Sequence, residues 1–83
     1  MRPMSRTERK YYMEYEVKGI PCWLSNDGFT FIFAIESIKS ILDTYEYDSD
    51  EDAYWWNSSH DRYIAEHYRT GMVSVNPSFI KNL

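Results

Sequence analysis

The segment SSHDRYIAEHYRTG, residues 58–71, decides how the whole chain is read. Tyr63, Ile64, His67 and Tyr68 recur at the three-to-four-residue spacing of one helical face. Ser58 and Asp61 have capping-box spacing, with Asp where Glu or Gln is usual. Arg69 suits the negative end of a helix dipole, and Gly71 stands where helices commonly stop. The pattern therefore predicts a helix here. Ala53 and Trp56, three residues apart just upstream, leave open a single longer helix from about residue 52.

Working outward toward the N-terminus, ESIKSILDTYEY (residues 36–47) carries Ile38, Ile41, Leu42 and Tyr45 at i, i+3, i+4 and i+7, which predicts a first helix without an obvious N-cap. Before it, FTFIFAI (residues 29–35) reads as a strand buried on both sides. Phe29, Phe31, Phe33 and Ile35 share one face of that strand, with Ile32 and Ala34 on the other. YYMEYEV and IPCWLS alternate as two further strands, joined by a Lys18-Gly19 turn, and Asn26-Asp27-Gly28 signals the next hairpin. Pro21 is awkward in a strand because it has no N–H to donate. Toward the C-terminus, MVSV reads as a short fourth strand, Asn76-Pro77-Ser78 as a turn, and Phe79 with Ile80 as the anchor of a tail. The order βββ–α–α–β predicts an α+β fold: a small antiparallel sheet of three to four strands with two helices packed on one face.

The chain has 83 residues, enough for one small domain, and a single cysteine, Cys22, so no intrachain disulfide can form. Charge is segregated. Residues 1–10 hold Arg2, Arg6, Arg9 and Lys10 against Glu8 alone, while residues 11–83 hold twelve acids and five bases. The division expected is a flexible basic arm over residues 1–10 and a single α+β domain over 11–83. No apolar run reaches the length of a membrane span or of a signal peptide's core, so the expected setting is cytoplasmic, with no membrane partner. Eight Tyr and three Trp exceed what a small core needs, and such rings, apolar with a polar handle, are enriched at interfaces.

Signatures of catalysis and of cofactors are missing. No glycine-rich phosphate loop, nucleophile elbow or Cys–His pair in a recognisable context occurs, so neither an enzyme nor a cofactor is expected. Asp48, Asp50 and Asp52 match the first three ligand positions of an EF-hand loop. Ala53 stands where that loop needs Gly, however, and Ser59 where it needs a bidentate Glu. His60 and His67, seven residues apart on the expected helix, would lie roughly 10 Å apart along its axis and could not chelate one metal ion. A metal site is not expected.

What remains is the acidic segment. Asp43, Glu46, Asp48, Asp50, Glu51 and Asp52 follow one another with no base among them, flanked by Tyr45, Tyr47, Tyr54, Trp55 and Trp56. Asp43 and Glu46 are expected one helical turn apart. An extended stretch over 48–52 would repeat its aspartates every ~6.7 Å, a line of anions comparable to a nucleic-acid strand. The bland reading is a solvated connector between helices. The functional one assigns partner contact to Asp43, Glu46, Asp48, Asp50, Glu51, Asp52, Tyr47, Tyr54 and Trp55.

YEVKGIPCWLSNDGFTFIFAIESIKSILDTY, with its turn glycines, aromatic strand and amphipathic helix, resembles a hairpin-then-helix pattern of small phage and mobile-element proteins. In size, acidity and aromatic content the chain is similar to phage anti-defence inhibitors of the anti-CRISPR and DNA-mimic kind. That resemblance implies an inhibitor that occludes a basic nucleic-acid-handling host protein, and it assigns no individual residue. Two alternatives stay open. One is a nucleic-acid-binding regulator using Arg2, Arg6, Arg9 and Lys10, which the acidic body disfavours. The other is a self-assembling structural protein, down to a homodimer.

Overall fold

Backbone pairing makes Tyr63–Arg69 a strand, and its helical spacing has a specific origin. On one side Tyr54 pairs with Ala65 and Trp55 with Tyr63, which leaves Ile64 as an extra residue. On the other, Val73 pairs with His67 and Met72 with Arg69, which leaves Tyr68 extra. Each is a β-bulge, which inserts one residue and resets the alternation of faces. Two bulges four residues apart make a period-two pattern read as 3.6. Ile64 joins Ala65 in the core on one face of the sheet, whereas Tyr68 packs with Met72 on the other. Gly71, at φ 79°, closes a hairpin in the left-handed region that glycine enters without a Cβ clash.

The computed structural model describes residues 4–83. Its strands are β1 (Tyr12–Val17), β2 (Ile20–Ser25), β3 (Phe31–Ala34), β4 (Glu46–Asp48), β5 (Ala53–Trp55), β6 (Tyr63–Arg69) and β7 (Met72–Val75). Its helices are α1 (Ile35–Leu42) and the short α2 (Pro77–Lys81), preceded by a 3₁₀ turn at Glu8–Lys10. All seven strands form one antiparallel sheet in the order β1-β2-β3-β7-β6-β5-β4. The expected α+β fold of three to four strands and two full helices is thus corrected: the protein is mostly β. The helix expected over residues 58–71 is not formed, and residues 46–55, expected as helix end and connector, contribute two more strands.

The N-terminal elements follow local chemistry closely. Lys18 and Gly19 turn β1 into β2 at φ 49° and 82°, the left-handed pair of a two-residue hairpin. Pro21 lies beyond the last β2–β3 pair, Trp23 with Ile32, so its missing N–H leaves no ladder bond unmade. β3 is shorter than expected: Phe29 is exposed in the hairpin loop, and Ile35 already begins α1. α1 has no side-chain N-cap; instead the Ile35 amide donates to the Gly71 carbonyl at 2.9 Å, which ties the helix start to the β6–β7 turn. Asn76 caps α2, its side chain accepting from the Phe79 amide, with Pro77 in the first turn.

Both faces of the sheet are covered at its centre. On the first, Ile38 and Leu42 of α1 and Phe79 of α2 pack with Cys22, Phe33, Ile64, Val73 and Val75. Burial pushes the Cys22 thiol up to about 11, so it acts as apolar filling. On the second face, Met4, Trp23, Ile32 and Met72 form a smaller cluster bordered by Tyr12 and Tyr68. Met4 belongs to the expected arm, whose residues 4–10 lie on the sheet; Arg2 lies outside the described residues. Ser5 and Glu8 form a reciprocal capping box: the Ser5 amide donates to Glu8 Oε1 at 2.9 Å and the Glu8 amide to Ser5 Oγ at 3.2 Å. The Glu8 carboxylate also accepts from the Tyr68 hydroxyl and pairs with Arg69 at 2.9 Å.

Those contacts hold the Glu8 carboxyl down at about 2, chiefly through the Tyr68 hydroxyl and the Ser5 amide, with Arg69 adding to them. A carboxylate depressed in the folded state contributes stability that is present above its unfolded value of about 4.5. That stability is lost as pH falls toward about 2. Glu8→Gln should lower stability at pH 7 by about 1–3 kcal/mol. Urea midpoints of the two proteins should converge between pH 4.5 and 2; a pH-independent gap would show that the charge plays no part.

Candidate functional site

The acidic segment leaves α1 through a tight exit. The Thr44 hydroxyl donates to the Ile41 carbonyl at 2.7 Å, and the Tyr45 amide to the Leu42 carbonyl at 3.0 Å. Tyr45 then wedges between Trp56 and Phe79, with ring centroids 6.0 Å from each, which fixes the direction in which β4 departs. Asp43 ends the helix with its carboxylate 3.2 Å from Lys39. Glu46 lies in β4, so the two acids do not share a helical turn as expected.

From there β4 and β5 form a hairpin at the sheet edge, pairing Glu46 with Trp55, Tyr47 with Tyr54 and Asp48 with Ala53. Asp48, Asp50 and Asp52 form no extended row. Asp48 Oδ1 accepts from the amides of Asp50 at 2.9 Å and Glu51 at 3.4 Å, folding the chain back in an Asx turn. Asp52 takes φ 52°, a conformation Asp tolerates better than most side chains. Its Oδ1 accepts from the Tyr47 hydroxyl at 2.6 Å, and its carbonyl from the His67 amide at 3.0 Å. That carboxylate raises the Tyr47 pKa above the usual tyrosine value.

The acids therefore divide. Asp48 and Asp52 build the turn, and a histidine flanks each: His60 Nδ1 stands 3.8 Å from Asp48 and His67 Nδ1 3.8 Å from Asp52. Asp43 is paired with Lys39. Glu46, Asp50 and Glu51 are exposed, and none of their carboxylates has a hydrogen bond or ion pair among the described residues. The aromatics divide as well. Tyr47 is 51% exposed and packs its ring on half-buried Tyr54 at 5.0 Å. Trp55 points to the opposite face, sandwiched by His60, stacked at 4.8 Å, and Tyr63, edge-on at 5.7 Å. Its indole nitrogen is buried without a hydrogen-bond partner among the described residues, and through its ring contacts Trp55 supports the hairpin from beneath. The sequence pattern places Tyr63 on a helical stripe and His60 near a helix start, and assigns neither to the acidic segment's contacts. The cue to His60 is a φ of 55°, invisible until the loop over 56–62 is closed by the Trp56 amide on the Arg62 carbonyl at 2.8 Å.

Beside the hairpin, Thr44, Tyr45, Trp56 and Asn82 line an open depression of about 260 Å³. That is below the ~300 Å³ at which small-molecule pockets usually begin. No three His, Cys, Asp or Glu side chains converge into a metal-holding group among the described residues. No helix among them is long and apolar enough to cross a membrane. In the N-terminal segment, Arg9 donates to the Met4 carbonyl at 3.2 Å and lies over the Trp23 ring at 5.9 Å, while Arg6 and Lys10 are exposed. No family model, curated protein or solved structure matches the chain.

Asp48→Ala should free the amides of Asp50 and Glu51 and loosen the turn, at a cost of about 1 kcal/mol. Amide exchange should quicken at those two positions while β3 and β7 keep their protection. Unchanged exchange at Asp50 and Glu51 would contradict the turn-building role.

Proposed function

We propose that this protein is a non-catalytic binder that meets a basic surface, of the kind used to hold nucleic acid, and blocks it by occupancy. The observation that carries this reading is the unneutralised trio Glu46, Asp50 and Glu51 on a hairpin that internal hydrogen bonds hold in one shape. The base nearest Glu46 in sequence, Lys39, is taken by Asp43. A backbone fixed before binding loses little entropy on contact, and the field of the charges it carries steers a cationic partner toward the edge. Tyr47, exposed beside them, adds amphipathic contact area that can be buried against apolar side-chain stems. The mechanism is steric and electrostatic occlusion without bond chemistry, as in the phage anti-defence inhibitors the chain resembles in character. Asp48 and Asp52 enter it as builders of the turn, Tyr54 and Trp55 as its supports.

The trio can be neutralised without disturbing the turn, because none of the three carboxylates serves it. Glu46→Gln, Asp50→Asn and Glu51→Gln combined should preserve thermal stability within about 0.5 kcal/mol. Affinity capture from a bacterial lysate should retain nucleic-acid-binding proteins on the wild-type chain and release them as salt rises. The triple variant should lose them. Equal capture by both chains, or capture by neither, would overturn the reading.

A further inference from the structure

We propose that the free outer edge of β1 is a strand-addition site. Its occupant is an extended partner segment that alternates apolar residues with Lys or Arg. The site lies at the opposite end of the sheet from the acidic hairpin, six strand spacings or roughly 29 Å away, and does not depend on it.

The hairpin geometry fixes which backbone groups are free. Val17 and Ile20 flank the two-residue Lys18-Gly19 turn, and such a closing pair is hydrogen-bonded. Alternate residues Val17, Tyr15 and Met13 therefore bond to β2, and the Asn26 amide donating to the Tyr11 carbonyl at 2.9 Å continues the series. Tyr12, Glu14 and Glu16 aim their N–H and C=O groups outward. Among the described residues β1 pairs with β2 alone, and its six residues offer a longer template than β4, whose edge is three residues.

Side chains define what can dock. On the face that carries the helices, Met13 is 53% and Tyr15 48% exposed, because α1 lies over β3 and α2 over β6 and β7. Register sets Met13 beside Leu24 and Leu24 beside Phe31, while Tyr15 touches the Phe31 ring at 6.2 Å. An apolar floor thus runs up to the free edge. On the reverse face Glu14 and Glu16 are exposed, opposite Trp23 and Pro21, and neither forms an ion pair among the described residues. The neighbouring Lys18 donates its ammonium to the Leu83 carbonyl at 2.5 Å.

Charge also decides against a second copy. Two β1 strands paired antiparallel about an axis normal to the sheet must keep like faces together. The registers that use most of the strand then set Glu14 against Glu14, or Glu14 against Glu16. Like charges directly opposite destabilise a ladder, while opposite charges stabilise it. Strand addition supplies affinity through the backbone and specificity through alternate side chains. The matching segment reads apolar, basic, apolar, basic against Met13, Glu14, Tyr15 and Glu16.

The probe is a capped seven-residue peptide of alternating valine and lysine, compared with one of alternating valine and glutamate. Titration of the isotope-labelled full chain should slow amide exchange at Tyr12, Glu14 and Glu16. The lysine peptide should bind about tenfold more tightly. Glu14→Lys with Glu16→Lys should reverse the preference, and the Glu46→Gln/Asp50→Asn/Glu51→Gln chain should bind as wild type does. Three results would overturn the proposal: no protection at Tyr12, Glu14 and Glu16, shifts confined to residues 46–52, or concentration-dependent dimerisation that protects the same amides without peptide.

Discussion

The ladder between β3 and β7 holds the molecule together. It pairs Phe31 with Val75, Ile32 with Ser74, Phe33 with Val73 and Ala34 with Met72, joining segments about forty residues apart in the chain. Without it the protein would be two separate meanders, β1–β3 and β4–β7, each with an exposed apolar face. With it, one face receives α1 and α2 and the other the Met4 segment. The Gly71 carbonyl, bonded to the Ile35 amide, locks the crossover of α1 to the same seam. Closing so long a loop is entropically costly, and the reward is a central pair of strands buried on both faces.

This architecture explains where function can reside. A sheet whose middle strands are covered on both faces offers contact surfaces at its two ends. At one, β4 and β5 present a turn built by Asp48 and Asp52, which leaves Glu46, Asp50 and Glu51 to solvent. At the other, β1 presents unpaired backbone beside Glu14 and Glu16. Among the described residues, four of the six most exposed large apolar side chains, Tyr11, Met13, Tyr15 and Phe29, lie toward the β1 end, and Tyr47 and Trp56 toward the other. Acidic and apolar groups therefore meet at both ends, an arrangement that suits association with basic partners.

The sequence is most legible where local chemistry and fold agree. Lys18-Gly19, Asn26-Gly28, the alternation of β1 and β2, the Ile38–Leu42 stripe and the short MVSV strand are each dictated within a few residues. β6 is illegible for a definite reason: its extra residues Ile64 and Tyr68 break the alternation at the interval of a helical turn. The Thr-Gly that follows serves a hairpin as readily as a helix stop. β4 and β5 are three residues each and carry no periodicity; they exist because β6 is there to pair with. In the candidate site, the exposed Glu46, Asp50 and Glu51 could be anticipated from composition. The inward roles of Asp48, Asp52 and Trp55 could not, because they depend on the turn and on His60 and Tyr63 closing over the indole.

The position of the acidic hairpin at a sheet edge rests on β6 being a strand. If residues 58–71 were helical, β5 would have only β4 to pair with, and the hairpin would not be joined to the sheet. Backbone chemical shifts and nuclear Overhauser contacts across residues 61–71 test this directly. A β6 strand gives extended-chain shifts from Tyr63 to Arg69, with cross-strand contacts from Glu66 to both Ala53 and Ser74. Helical shifts with a run of i to i+3 contacts through the same residues would contradict it.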